Sequence, residues 1–108
     1  MARVSASAVF KSLADTTRRE IYERVARADE LTVSEITAGA GVSQPAVSQH
    51  LAALKAAGLV KERREGRLAH YRATAKGLAP LVDWIGRYSA FWEDRFDRLE
   101  DLLEEMDE

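Results

Sequence analysis

Apolar positions along this chain recur at helical spacing over most of its length, with one short stretch of period two. Val9, Phe10 and Leu13 share one side of the segment from Ser5 to about Ala14, which predicts a first helix kept narrow by Ala6 and Ala8. Asp15 and Thr16 then offer a cap for a second helix, with Ile21, Tyr22 and Val25 inward and Arg18, Arg19, Arg24 and Arg27 around the rest. Those arginines read first as a solvated face and second as contacts to phosphate. Thr32 and Glu35 form a T-x-x-E capping box that starts a third helix carrying Val33 and Ile36, and the AGAG run at 38–41 ends it.

The stretch from Ser43 to Leu59 organises the rest. Ser43 is a good N-cap, Pro45 suits a first turn where a missing N–H costs little, and Gly58 can close the far end in the left-handed conformation. Val47, Leu51 and Leu54 form one buried stripe, while Gln44, Ser48, Gln49 and Lys55 project away from it. An ordinary solvated helix face carries Glu and Lys; this one carries amides and a hydroxyl, groups that pair with base edges in the DNA major groove. The third and fourth helices, joined through the glycines and Val42, make a helix-turn-helix.

From Leu59 the period drops to two. Leu59 to Arg64 and Arg67 to Ala73 read as two short strands, with Glu65-Gly66 as a hairpin turn that needs positive φ. Arg63, Arg64 and Arg67 cluster at the expected tip, where they can reach phosphates or a narrow minor groove; the bland alternative is a charged edge that resists strand aggregation. Tyr71 is the expected anchor of this hairpin to the core. From Thr74 to Glu105 the spacing is helical again, although Gly77 and Pro80 place the start of regular structure near Pro80. About thirty helical residues span roughly 45 Å, more than a small domain can cover. The surplus apolar surface calls for a partner. Val9, Phe10 and Leu13 of the first helix, with Ile85, Tyr88, Trp92, Phe96 and Leu99 of the last, are the expected contacts of a two-fold dimer. Trp84 and Phe91 widen that apolar face, and the acidic end EEMDE is expected to be a frayed, solvated tail.

Composition narrows the chemistry. The 108 residues suffice for one domain, and the absence of cysteine excludes disulfides, thiolate metal sites and cysteine nucleophiles. No apolar run approaches the roughly 18 residues of a membrane span, so the chain reads as soluble and cytoplasmic. The net charge of −2 hides an asymmetry: residues 1–74 carry +4 and residues 75–108 carry −6. A basic body can present a positive face despite an acidic tail, because charges are screened beyond roughly 8–10 Å. Catalysis has no evident machinery: there is no glycine-rich phosphate loop, no metal-ligand spacing and no histidine beside a nucleophile. His50 reads as a hydrogen-bond donor to phosphate or within the domain, and His70 as a residue of the wing surface.

The runs VFKSLADTTRREIYERV, ELTVSEI and GVSQPAVSQHLAALKAAGLVKERREGRLAHYR, with the long final helix bearing Trp84 and Trp92, resemble the ArsR-type winged helix-turn-helix repressors over roughly residues 8 to 100. The resemblance implies a mainly α fold with a small β-hairpin wing and a long C-terminal dimerisation helix. It divides a single domain, 1–108, into two opening helices (1–30), the helix-turn-helix (31–58), the wing (59–73) and the last helix with its tail (74–108). It also implies a homodimer that binds double-stranded DNA at an inverted repeat and represses transcription, often of its own operon. The expected DNA contacts are Ser43, Gln44, Pro45, Ser48, Gln49, His50, Lys55, Arg63, Arg64 and Arg67. Where many relatives sense metal through cysteines in the segment matching ELTVSEI, this chain has Thr32 and Ser34, and no histidine follows residue 70. No metal or other cofactor is therefore expected. A small hydrophobic effector bound near Trp84, Tyr88, Phe91 and Trp92, or a winged helix used for protein association, are the alternative readings.

Overall fold

The computed structural model describes residues 4–107. Residues 1–3 and Glu108, the last residue of the expected acidic tail, lie outside the described residues. Helix α1 spans Ala6–Ala14 and α2 spans Thr16–Arg27. Each opens on a side chain that accepts from the backbone three residues on: Ser5 from the Ala8 N–H, and Asp15 from the Arg18 N–H at 2.9 Å. Helix α3, Val33–Ala38, begins with the full reciprocal capping box of Thr32 and Glu35. Helix α4, Gln44–Ala56, is capped by Ser43 and ends where Gly58, at φ +76°, lets the Leu59 N–H reach back to the Leu54 carbonyl.

The sheet has three strands, one more than the pattern of the sequence predicts. Strand β1 is only Leu31–Thr32; β2 spans Val60–Glu65 and β3 spans Leu68–Ala73, in the spatial order β1-β3-β2 with antiparallel pairing. Two residues carry no period, so β1 is visible only through its partners Tyr71 and His70. The hairpin turn is Gly66-Arg67, one residue later than expected, since Glu65 pairs with Leu68. Positive φ occurs at Gly66 (+60°) and not at Arg67, the pattern of a turn with glycine at its first central position.

The core joins all of these elements. Val9, Ile21, Val25, Ile36, Val47, Leu51, Leu54 and Leu59 are essentially inaccessible, and Tyr71 seals one side. Val9 thus corrects the expectation that it belongs to a dimer contact: it is enclosed by its own protomer, and its neighbour Phe10 faces out.

A short 3-10 turn, Ala75–Leu78, leads into α5, which runs unbroken from Ala79 to Asp107. Glu104 to Asp107 of the acidic end are therefore helical where a frayed tail was expected, and Leu102, Leu103 and Met106 continue the apolar spacing there. The junction before α5 is tight. Thr74 donates from Oγ1 to the Gly58 carbonyl at 2.7 Å and from its backbone N–H to the Leu59 carbonyl at 3.0 Å. A Cβ on Gly77 would stand 2.3 Å from the Gly58 oxygen, so only glycine permits this approach. Beyond Leu81 the helix stands away from the core, with Ile85, Tyr88, Trp92, Phe96 and Leu99 all exposed.

Candidate nucleic-acid interface

The arrangement of α4 follows directly from its sequence. Val47, Leu51 and Leu54 are wholly buried, and this stripe turns Gln44, Pro45, Ser48 and Gln49 outward, all exposed. Ser43 is exposed too, but its Oγ accepts the Ala46 N–H, so it is first a cap. At 100° per residue Gln49 lies at the centre of the outward face, Ser48 and Lys55 on one flank, and His50 on the other. The Ser48 flank faces the hairpin, where the Lys55 charge helps lower the Glu62 pKa.

His50 departs from its expected role. Its Nδ1 accepts a hydrogen bond from Arg18 Nε at 3.3 Å, so at this nitrogen it is an acceptor within the domain. The imidazole proton then resides on Nε2, which keeps one donor available.

Strand pairing divides the arginines that the sequence gathers at one tip. Glu62 lies opposite Tyr71 and Arg64 opposite Ala69, on the sheet face that packs toward the core. Tyr71 donates its hydroxyl to Glu62 Oε2 at 2.5 Å, and Arg64 Nε donates to Glu62 Oε1 at 3.0 Å. Those two hydrogen bonds, Tyr71 first, hold the Glu62 carboxyl below its ordinary pKa. Burial and then the Glu62 hydrogen bond push the Tyr71 phenol up to about 12. The carboxylate thereby aims Arg64, whose guanidinium is mostly exposed.

Arg63 lies on the opposite sheet face, across from His70, and is occupied there. It donates to both oxygens of Glu30 and to Glu65 Oε2, and these hydrogen bonds hold its guanidinium firmly protonated while lowering Glu30 and Glu65. Arg63 is an internal tie between the hairpin and β1, and its expected place at the tip is corrected accordingly. Arg67, in the turn itself, is exposed. His70 is not a surface residue: its side chain is 17% exposed, with Nδ1 3.3 Å from Glu30 Oε1 and Nε2 3.9 Å from Glu65 Oε2. The register that sets it beside both Thr32 and Arg63 explains the difference.

The arginines of α2 are also more than a solvated face. Arg24 donates to the carbonyls of Ile36 and Glu35, satisfying the open end of α3, and Arg19 donates to the Leu13 carbonyl that ends α1. No periodicity announces these uses, since each depends on a partner from another helix.

The whole arrangement is thus an outward amide-bearing helix, seated on a three-helix core and flanked by a basic hairpin. Comparison with known proteins agrees. A helix-turn-helix domain model matches residues 13–63. The HTH-type transcriptional regulator Rv2034 of Mycobacterium tuberculosis is 44% identical over 79 residues, 73% of this chain and 73% of that protein. The solved structure of an ArsR-like transcriptional regulator from Rhodococcus sp. RHA1 superposes with a TM-score of 0.71 at 33% identity, covering 90% of this chain and 91% of that one. This chain belongs to the ArsR-type winged helix-turn-helix regulators.

ArsR-type regulators of this kind act on transcription through double-stranded DNA and are not enzymes. The arsenic resistance transcriptional regulator ArsR1 of Pseudomonas putida is 47% identical over 64 residues, 59% of this chain, and the match spans only half of that protein's length. Among the described residues of this ArsR-type chain, no group of three or more His, Asp or Glu side chains is placed to hold a metal ion. No helix among them is long and apolar enough to cross a membrane.

Proposed function

We propose that this chain is a homodimeric repressor that binds an inverted-repeat operator without a metal and that its own promoter is among its targets. The observation that carries the reading is the outward face of α4, where Gln44, Ser48 and Gln49 stand exposed over a fully buried apolar stripe. Amides at these positions match the donor and acceptor pattern of the major groove, and Gln bidentate to adenine is the best-matched pairing. Ser43, Pro45 and His50 frame the entering end and flank of the helix, while Lys55, Arg64 and Arg67 hold the backbone beside it. Arg63 contributes by stiffening the hairpin through Glu30.

Dimerisation draws support from α1 and α5. Phe10 rests edge-on against Trp84 at 5.4 Å between ring centres, joining the two helices into one apolar surface, while Leu13 is partly buried against the core. Trp84, Ile85, Tyr88, Trp92 and Phe96 line an open groove of about 590 Å³ along α5. A second copy of the same helix fills such a groove symmetrically, and half-sites then lie roughly one helical turn, about 10 bp, apart. The same groove favours a second reading, in which an apolar effector enters the dimer seam and loosens operator binding.

The test is binding of the purified protein to a labelled fragment of its own upstream region, across a salt series and with excess unrelated DNA. Tight binding that survives the competitor and falls steeply with salt supports the reading. Absence of binding even at low salt overturns it in favour of a protein-association module.

A further inference from the structure

Arg18 is held differently from its neighbours on α2. Arg19 and Arg24 spend their guanidinium nitrogens on backbone carbonyls. Arg18 uses its Nε–H on His50 Nδ1, and among the described residues its two Nη groups make no hydrogen bond or ion pair. The contact has two consequences. It fixes the guanidinium of one helix beside the outward flank of another, and it leaves the His50 proton on Nε2. A cationic fork and a neutral N–H donor are thereby brought together at the edge of α4 opposite the hairpin.

We propose that Arg18 and His50 form a joint phosphate anchor on this flank, so that α4 is gripped from both sides, by Arg64 and Arg67 across from Arg18 and His50. The inference rests on the DNA-binding reading above and names contacts that the helix-turn-helix pattern alone does not supply. Phosphate suits the pair better than a base edge. His50 sits at the rim of the outward face, not at its centre, and a guanidinium next to an N–H donor matches two oxygens of one anion. The acidic group in this neighbourhood is Asp15, whose Oδ1 is already engaged by the Arg18 backbone N–H. That hydrogen bond, larger than the opposing effect of desolvation, holds the Asp15 carboxyl below its ordinary pKa, so the phosphate approaches from the side away from it.

The experiment uses the full chain and the operator fragment that wild type binds, with Arg18→Met and Arg18→Lys as variants. Arg18→Met, which keeps the apolar stem, is expected to weaken binding to operator and unrelated DNA alike by about tenfold and to reduce the salt slope by about one. Arg18→Lys restores the salt slope. Single neutral methylphosphonate substitutions in the operator locate the contact: one position per half-site costs wild type about five- to tenfold and costs Arg18→Met nothing more. Ring ¹⁵N shifts of His50 supply a readout that folding alone does not move: wild type shows the Nε2–H form, and Arg18→Met a mixture of tautomers. The anchor is overturned if a folded Arg18→Met, judged by an unchanged Tm, keeps the wild-type affinity and salt slope. It is equally overturned if base preference changes instead, or if wild-type His50 carries its proton on Nδ1. Wild type that binds no DNA at all would overturn the repressor reading itself, an outcome distinct from either of these.

Discussion

Trp92→Ala tests the dimer most directly, because the residue is half exposed in the protomer and supports nothing in its core. The indole is 48% accessible. A tryptophan presents roughly 200 Å², so a partner covers at most about 100 Å² of it. At about 25 cal/mol per Å² this amounts to roughly 2.5 kcal/mol for each protomer. Two-fold symmetry counts the loss twice, giving about 5 kcal/mol, or a dimer dissociation constant raised by roughly 10³- to 10⁴-fold as an upper limit. Sedimentation equilibrium across a wide concentration range measures the constant, and the emission of Trp84, the one indole left in the variant, reports assembly independently. The monomer's helical content should be unchanged, since the aromatic and cation–π partners of Trp92, namely Phe91, Phe96 and the Arg95 guanidinium, all belong to its own helix. Operator affinity should fall with dimerisation, leaving half-site binding. A Trp92→Ala variant that dimerises within about threefold of wild type would refute the argument, since its covered area would then be near zero.

Gln49→Ala should relax base preference at one or two positions per half-site, whereas Arg64→Ala should weaken binding to all sequences and flatten the salt slope; selection from randomised operators and a salt titration separate them. Leu51→Ala removes a fully buried side chain under the recognition face and should cost about 2–5 kcal/mol in denaturant unfolding, with a near-zero loss refuting the packing described. Gly77→Ala should destabilise far more than Gly66→Ala: a Cβ at Gly77 meets the Gly58 backbone, while at Gly66 it meets open space and costs only the left-handed φ, about 1–2 kcal/mol. Thermal melts that reverse this order would contradict the junction. Glu30, Glu62 and Glu65 all have pKa values lowered in the folded chain, by Arg63 for Glu30 and Glu65 and by Tyr71 then Arg64 for Glu62. Their stabilisation is present above the ordinary carboxylate pKa, near 4.3, and is lost as pH falls through the folded values. Tm should therefore drop in that acidic window, and Glu30→Gln should flatten the drop.

Much of this architecture was legible because it is written locally. The N-caps at Asp15 and Ser43, the Thr32–Glu35 box and the Val47, Leu51, Leu54 stripe each involve residues within a few positions of one another. The outward face of α4 could be read for the same reason. What escaped is set by partners distant in the chain. Arg63 binds Glu30 across 33 positions, Arg18 meets His50 across 32, and His70 is enclosed by a two-residue strand too short to show a period. Val9 and Phe10 are equally apolar neighbours, and only the packing of α1 decides which faces the core and which faces out. Gly77 appeared as a weak point in a helix pattern; its reason is the backbone oxygen of Gly58, which no spacing reveals.

That contact also gives the last helix a mechanical role. The root of α5 is stitched by Thr74 and Gly77 to the turn that ends α4, so the two helices share one pivot. From this pivot an arm of 29 residues extends roughly 43 Å. A tilt of about 5° at the junction moves the far end of such an arm by about 4 Å, comparable to the rise of one base pair. In the proposed symmetric dimer the lever works in both directions: whatever clamps the arms together sets the separation of the two α4 helices, and DNA that spreads those helices pulls on the clamp.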